Sequence, residues 1–550
     1  MNDYIISPLS HLAKSIPSSA EGYLLSGYSI ALEGWRRGLD LSMKVIFEKN
    51  SKTRVPIFTL SNDKQSYTFK YTRANTVSGE AISICVNKEL TKKVLNEAKV
   101  PTPLGTIVSN EVPTRKIISI AKKIGYPIVI KPSDGTGGKG VIANIKSNQE
   151  LKEAIDYIKK DLKLTSAIII EKFQTGYDYR CYVIDNKVVA AYKRESLYII
   201  GNGKSTIKQL LEQKEQHRRS NPVLKKRSLR IDKETDLLLS RLGYDFNSVP
   251  PKGEKVYLKS KNNVTSGGEA TDMTDKISEN IKKLAIDAVN AIPTLTHAGV
   301  DMIIDEDNDK GVVLEINSRP HITAHLYPSF GEPRDVPSAL IDYFFPETIG
   351  YNRNQRANLY FDFDQVLETT YFNGSIDEIQ IPNIPGDIHL SRYNLYLSEK
   401  KDIFSKWLQL QATRNHISGH IKSFNNHLSI VLAGTEKDVQ ALLSLIHQKA
   451  QKYKGFKLEE KVRNTPVKQG FYIINSSTNP KSDTPVPLNY KSDVNQLIEA
   501  IYKTNNMQET KKPTNIEYDV LKSQLQNATA ELNTYKKIFG ELPSTEKERT

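Results

Sequence analysis

Cysteine is nearly absent from this sequence, with only Cys85 and Cys181 among 550 residues. A disulfide framework and a cysteine-based zinc site are therefore excluded, because both need more thiols at characteristic spacings. Sparse, unpaired cysteine is typical of a reducing compartment, so we expect a cytoplasmic protein.

Long apolar runs are also absent. No stretch of the sequence approaches the ~20 apolar residues that a membrane-spanning helix needs. The amino terminus, residues 1–8, lacks the basic region and apolar core of a signal peptide. We therefore expect no membrane partner.

Acidic residues are outnumbered, with 63 Asp and Glu against 77 Lys and Arg, which gives a formal net charge of +14. A positive balance favours anionic partners such as nucleotides, acidic substrates or a polyanion. No nucleic-acid-binding motif accompanies it, and basic runs such as 225–227 are typical of solvated surfaces, so we expect no nucleic-acid partner. A chain of 62.1 kDa is long enough for two to four domains.

Two apolar segments around a polar turn, residues 305–311, predict a β-hairpin. Asp301 lies in its first strand, and Glu315 and Asn317 lie in its second. Residues two apart on a strand share one face, so Glu315 and Asn317 should point the same way and Asp301 could meet them. Converging oxygens suit Mg²⁺, although a solvated hairpin with edge carboxylates fits this stretch alone equally well.

A second signal is a lysine at the end of an apolar strand, followed by a glycine-rich loop. Lys131 precedes the loop, residues 134–140, which contains Gly135, Gly137, Gly138, Lys139 and Gly140. Glycines let backbone N–H groups approach phosphate oxygens closely, and the lysines add positive charge there. The segment 201–206 is not a phosphate-binding loop of the Walker type, because that motif needs glycine where Tyr198 stands.

Taken in order, several segments resemble ATP-grasp enzymes, most of all the ATP-grasp portions of cyanophycin synthetases and bifunctional glutathione synthetases. The matching segments are 87–92, 100–103, 129–132, 171–180, 263–268, 299–301, 314–317 and 320–346. Together they cover residues 88 to about 348.

The resemblance implies a role for each matching residue toward two cofactors, ATP and Mg²⁺. For ATP, it assigns Lys88 and Lys131 to the phosphates, the loop 134–140 to a mobile cover over the phosphates, Glu171, Lys172 and Phe173 to the adenine, and Asp178 to the ribose. For Mg²⁺, it assigns Asp301, Glu315 and Asn317 as ligands. It places Arg180, Lys259 and Asn263 near the transferred phosphate and the acyl group. Arg194, Arg319 and His325 are further candidates for contacts to the second substrate or the acyl phosphate. Lys259 stands where related sequences usually have arginine, so a bidentate contact is lost there.

The implied activity is ligation of a carboxylate to an amine through an acyl phosphate, with release of ADP and phosphate. Amino acids or peptides are the expected substrates. The second ligase domain of cyanophycin synthetases, with its own phosphate loop, is missing, so we expect one ATP site and a product other than cyanophycin. The alternative is a non-catalytic ATP-binding scaffold.

We predict an α+β protein with an ATP-grasp fold, a ferredoxin-like domain and a C-terminal helix. The predicted regions are an α/β unit at 1–87, the ATP-grasp domain at 88–348, a linker at 349–385, an acylphosphatase-like domain at 386–457, a polar linker at 458–515 and a heptad helix at 516–541.

The acylphosphatase-like domain is predicted to be inactive. The positions at which acylphosphatases need Arg and Asn hold Ser405 and Ser423. A rebuilt site using Lys400 or Lys401 with Asn425 is the alternative. The C-terminal helix, whose apolar residues alternate at three- and four-residue steps, fits either a homo-oligomer or docking on another domain.

Overall fold

The structure is a computed structural model. It describes residues 9–48, 53–133, 140–162, 166–225, 228–229, 231–260, 262, 264, 267–372, 376–397, 400–453 and 456–474. Predictions for Gly135, Gly137, Gly138, Lys139, Asn263 and the helix 516–541 lie outside the described residues. All described residues belong to one contact unit, Met1–Ser476.

The N-terminal region forms a five-stranded antiparallel sheet with a helix packed on it. In spatial order the strands are Glu378–Ile381, Asp40–Glu48, Thr53–Ser61, Ser66–Lys70 and Arg73–Ala74. The helix Gly22–Arg36 has Leu25, Tyr28, Leu32 and Trp35 at three- and four-residue steps, and all four side chains are buried. This spacing gives the helix one apolar face, from which Tyr28 and Trp35 contact Phe361.

The prediction of a linker at 349–385 is wrong. Its strand Glu378–Ile381 forms an edge of the N-terminal sheet by pairing with Asp40–Glu48. Phe361 and Phe363 are buried, and the Trp35 and Phe361 rings lie 5.7 Å apart edge to face. Polar residues between the aromatic residues make this segment look like a linker in the sequence. The aromatic side chains are buried only by contact with the N-terminal region, some 300 residues away in the chain.

A four-stranded antiparallel sheet follows, with strand order Gly105–Val108, Ile168–Lys172, Ile128–Pro132 and Ile142–Ile145. The helices packed on it are Thr114–Ile124 and Asn148–Asp156, the second continuing as a π-helical turn, Tyr157–Asp161. The helix Lys88–Glu97 packs on the helix Gly79–Val86 and the strand Lys310–Asn317. Asn87 caps this helix by accepting backbone N–H bonds from Glu89 and Leu90.

The central sheet has five antiparallel strands. Their order is Glu269–Asp272, Lys187–Glu195, Tyr177–Ile184, His297–Asp305 and Lys310–Asn317. One face packs on the helix Glu279–Asn290 through side chains such as Cys181, Val300 and Met302. Because side chains alternate along a strand, Arg180 and Asp301 point to the opposite face.

Between the strands Lys187–Glu195 and Glu269–Asp272 the chain forms a small α/β insertion. Its elements are the strands Tyr198–Ile200 and Lys255–Tyr257 and the helices Ile207–Ser220 and Lys233–Arg241. Further short helices are Gly79–Val86, Thr323–Leu326, Val336–Phe344, Arg353–Arg356 and Phe363–Leu367.

The C-terminal region has the order strand, helix, strand, strand, helix, strand. The elements are His389–Tyr396, Lys401–Arg414, Ser418–Ser423, Leu428–Gly434, Glu436–Ala450 and Lys457–Lys461. Its strands pair in the order fourth, first, third, second, the antiparallel arrangement of ferredoxin-like folds. Kinship with acylphosphatases stays a prediction.

The polar linker predicted from residue 458 starts too early. The strand Lys457–Lys461 completes the C-terminal sheet, and Phe471–Ile474 adds a fifth strand parallel to Ser418–Ser423. A two-residue strand, Val467–Lys468, pairs with Leu359–Tyr360. Across the described ranges, no helix has the length and apolar character that crossing a bilayer requires.

Candidate functional site

The three predicted oxygen ligands meet on the hairpin of the central sheet. Asp301 pairs directly with Glu315, and Asn317 lies opposite Gly299. The Asn317 Nδ2 donates to Glu315 Oε1 at 3.2 Å. This prediction of the hairpin and its facing side chains is confirmed. Within the described ranges, no group of three or more His, Cys, Asp or Glu is arranged to hold a metal ion, so the set is two carboxylates and one amide.

Asp301 is held by two arginines from neighbouring strands. Arg180 forms a bidentate pair with it, Nε to Oδ1 and Nη2 to Oδ2, both at 2.6 Å. Arg194 places Nη2 2.5 Å from Oδ1. Burial favours the neutral acid, but the two guanidinium groups outweigh it and lower the pKa of Asp301. Asp301 is therefore a fixed negative charge.

The other two carboxyl groups of this cluster are less readily ionised. Burial, followed by the charge of Asp301, raises the pKa of Glu315. Burial raises the pKa of Asp178 to about 6, although Arg194 Nε lies 3.1 Å from its Oδ1. Three crowded carboxyl groups with two arginines make a site at which a divalent cation would relieve repulsion between acids.

A cationic cluster forms at the edge of the four-stranded sheet. Lys131 Nζ lies 2.7 Å from Glu171 Oε2, and Lys92 Nζ lies 3.1 Å from Glu171 Oε1. Burial alone would raise the pKa of Glu171, but the two lysines lower it. Lys88 donates to the Ser133 carbonyl at 3.3 Å, next to the glycine-rich loop.

The structure thus brings Lys88, Lys131 and Glu171 together, and it adds Lys92. These four residues line one small cavity. Sequence reasoning missed Lys92, although its spacing of four residues from Lys88 on a helix was an available signal.

Two predicted contact residues also have partners within the protein. Lys172 donates to the carbonyls of Gly125 and Tyr126 at 3.0 and 2.8 Å, and the Phe173 N–H donates to the Pro127 carbonyl at 3.0 Å. These bonds fix the turn that precedes the strand Ile128–Pro132. The predicted adenine contacts of both residues stay predictions.

Lys259 is buried and lies 2.5 Å from Asp232 Oδ1 and 3.4 Å from Glu234 Oε2. Its charge is thus neutralised by the inserted region, and its predicted role at the transferred phosphate stays a prediction. Gly140, at the end of the predicted cover loop, has φ +74°, a backbone conformation that favours glycine.

Arg319 does not join the arginines on Asp301. Its guanidinium lies 5.1 Å from the Tyr23 ring centre and 5.3 Å from that of Tyr71, both in the N-terminal region. His325 is buried between aromatic rings, 4.6 Å from Tyr192, and burial lowers its pKa to about 3. No sequence motif pointed to Tyr23 or Tyr71, because only the folded chain brings them to residue 319.

Comparison with known proteins finds similarity over the part of the chain that holds these residues. Residues 85–204 match the RimK-like ATP-grasp domain, and residues 252–323 match the ATP-grasp domain. The two matches lie on either side of most of the inserted α/β unit.

Curated relatives agree over the same part of the chain. A cyanophycin synthetase of Trichormus variabilis is 36% identical over 274 residues, which is 48% of this chain and 30% of that protein. The glutathione biosynthesis bifunctional protein GshAB of Clostridium perfringens is 29% identical over 331 residues, 58% of this chain and 41% of that protein. The chain thus spans well under half the length of these relatives.

Among solved structures, a bifunctional glutathione synthetase from Pasteurella multocida is similar, with 22% identity, coverage of 56% of this chain and 42% of that one, and a TM-score of 0.42. The ATP-grasp ligase PsnB, solved with a minimal precursor, Mg and ADP, is 15% identical, covers 49% of this chain and 61% of that one, and has a TM-score of 0.30.

Proposed function

We propose that the protein is an ATP-dependent ligase that joins the carboxylate of an amino acid or peptide to an amine. The observation that supports this most is the pairing of Asp301 with Glu315 and Asn317 on one hairpin, in a chain that also gathers Lys88, Lys131 and Lys92. The two family-model matches, residues 85–204 and 252–323, cover all of these residues.

The donor set fits Mg²⁺, a hard cation usually held by one or two carboxylates together with substrate phosphates. Glu315 and Asn317 would supply oxygens, with Asp301 beside them. The ion would neutralise phosphate charge when bound. Four cationic side chains of the protein complete the site. Lys88 and Lys131 hold and orient the phosphates, and Arg180 and Arg194 keep Asp301 ionised and in place.

The reaction then needs no protein nucleophile. An oxygen of the acid substrate attacks the γ-phosphorus of ATP, the bond to the β–γ bridging oxygen breaks, and ADP and an acyl phosphate form. The amine attacks the acyl carbon, phosphate leaves, and the nitrogen loses a proton. Water must be excluded, because it would hydrolyse the acyl phosphate. Cys181 has no part in this, since it is buried on the opposite face of the sheet.

The finer assignments belong to the same proposal. The C-terminal domain is an inactive acylphosphatase-like module, the protein is cytoplasmic, and the segment 516–541 mediates association between copies. The competing proposal is a scaffold that binds ATP without turnover. Both proposals require the nucleotide site, and turnover decides between them.

The test is release of ADP and phosphate by the purified chain with ATP, Mg²⁺ and pooled amino acids and dipeptides, followed by the product mass. A ligase releases both only when an acid and an amine are present together. Nucleotide binding without release under every pool would establish the scaffold and overturn the ligase.

A further inference from the structure

A second arginine pair lies between the N-terminal sheet and the end of the hairpin. It consists of Arg73 and Arg319. Arg319 lies over the rings of Tyr23 and Tyr71, whose ring centres are 5.0 Å apart. The Tyr23 ring also stacks on His321, with ring centres 3.5 Å apart. The guanidinium of Arg319 and the rings of Tyr23, Tyr71 and His321 thus form one cluster.

In the described part of the chain, neither guanidinium of this pair has an acidic partner. Among the described residues, no Asp or Glu lies within ion-pair distance of Arg73 or Arg319, whereas the nearby Lys70 is paired with Glu48. Burial, and next the charge of Arg319, lowers the pKa of Arg73. Two half-buried like charges repel each other unless an anion binds between them.

The arginine pair lies next to the proposed metal site. Arg73 Nη1 lies 3.5 Å from the hydroxyl of Ser318, the residue that follows Asn317. Two hydrogen bonds fix Thr72, the residue before Arg73. The Thr72 hydroxyl donates to the Pro320 carbonyl at 2.9 Å, and the Thr72 carbonyl accepts from His297 Nε2 at 2.8 Å. These bonds hold Arg73 beside the end of the hairpin.

We propose that Arg73 and Arg319 bind a second carboxylate of the acid substrate, distinct from the carboxylate that is phosphorylated. This inference rests on the proposed ligase function and narrows it to substrates with at least two acidic groups. Arginine suits the task because its planar donors match a carboxylate in a bidentate pair. The reacting carboxylate instead belongs beside the phosphate-binding residues and Asp301.

Calorimetric titration of the full chain, with Mg²⁺ and a non-hydrolysable ATP analogue present, tests this. The probes are aspartate, glutamate and the dipeptides Ala-Asp and Ala-Glu, each against its side-chain amide and against inorganic phosphate. We expect at least one acidic probe to bind about 10-fold or more tighter than its amide. Equal binding of acid and amide, equal binding of phosphate, or no binding of any acidic probe would overturn the inference.

Variants locate the effect. Arg73→Gln and Arg319→Gln should each weaken acidic-probe binding about 10-fold or more, while nucleotide affinity stays at the wild-type value. The affinity of Arg73→Lys for the acidic probe should lie between those of the wild type and Arg73→Gln. Arg54→Gln is the matched control, since Arg54 is an exposed cation of the same sheet whose Nη1 donates to the Tyr371 carbonyl. Unchanged acidic-probe binding in both glutamine variants would contradict the assignment.

The two proposals can fail separately, because binding is read without turnover. If acidic probes bind and lose affinity in Arg73→Gln but phosphate is never released, only the ligase function fails. If neutral acids support phosphate release as well as acidic ones do, and Arg73→Gln leaves their KM unchanged, only the second-carboxylate site fails.

Discussion

The central sheet and the C-terminal sheet are both five-stranded, but only the central sheet has a face that buries a cluster of charged side chains among the described residues. The central sheet encloses Asp301 and half-buries Arg180 and Arg194 around it. The C-terminal sheet buries Leu395, Ile430 and Leu432, and the buried polar residues described in its domain are serines. Serine, with its small hydroxyl, is far less costly to bury than a charge.

This difference supports the proposal that the site lies on the central sheet. Burying a charged group costs several kcal/mol unless it is paired, and apolar residues of similar volume often stabilise a fold as well or better. A cluster of acids and arginines on one face is therefore poorly explained by stability alone. The C-terminal sheet shows what a face selected for packing looks like in the same chain.

The largest expected effect is on turnover, at the hairpin. Glu315→Ala removes one of the proposed magnesium ligands, and we expect phosphate release to fall by more than about 100-fold, since loss of outer-shell partners alone costs 10–100-fold at metal sites. Phosphate release and the unfolding midpoint should be measured together.

Asp307→Ala is the matched control for Glu315→Ala, because Asp307 is an exposed carboxylate in the turn of the same hairpin. It should leave turnover near the wild-type rate. Wild-type turnover in Glu315→Ala would place the metal site elsewhere.

On the C-terminal sheet the effect should be on stability. Leu432 is fully buried, and Leu432→Ala should lower the free energy of unfolding by about 2–5 kcal/mol through lost burial and a cavity. Urea denaturation measures the loss, and turnover per folded molecule should not change. Reduced turnover at full stability would mean that this sheet takes part in the chemistry.

Acid should destabilise the region around the central sheet through His297. Burial lowers the pKa of His297 to about 4 from 6.5. The unfolded chain then binds the extra proton first, so stability is full above pH 6.5 and is lost as the pH falls toward 4, by roughly 2–3 kcal/mol from this residue.

In His297→Gln, which can still donate to the Thr72 carbonyl, the dependence of the unfolding free energy on pH between 6.5 and 4.5 should flatten. An equally steep dependence in wild type and variant would show that His297 does not titrate in this way.

At the acylphosphatase-like domain we expect no hydrolytic activity, which is the smallest of the predicted effects. Lys401 donates to the carbonyls of Phe424 and Asn425 at 3.0 and 2.6 Å, so it braces a loop. Ser405 donates to the Lys401 carbonyl at 2.9 Å. The full chain carrying Glu315→Ala should leave benzoyl phosphate intact. Hydrolysis that Lys401→Ala abolishes would instead establish the rebuilt site.

The local part of the site could be predicted from the sequence. Two-residue spacing on a strand places Glu315 and Asn317 on one face, and the hairpin turn sets their pairing with Asp301. The helix 88–97 and the C-terminal strand and helix order follow from periodicity in the same way.

Contacts between distant segments could not be predicted. The salt bridges of Arg180 and Arg194 with Asp301 depend on strand order, which periodicity does not fix. The approach of Arg73 to Ser318 joins residues far apart in the sequence. For the same reason residues 349–385 were mistaken for a linker, since their burial depends on the N-terminal sheet.

The most direct test is a crystal structure of the protein with a non-hydrolysable ATP analogue and Mg²⁺. The account predicts Mg²⁺ bound by oxygens of Glu315 and Asn317, close to Asp301, and phosphates held by Lys88 and Lys131. A nucleotide bound elsewhere, or a metal ion without a contact to the hairpin, would contradict it.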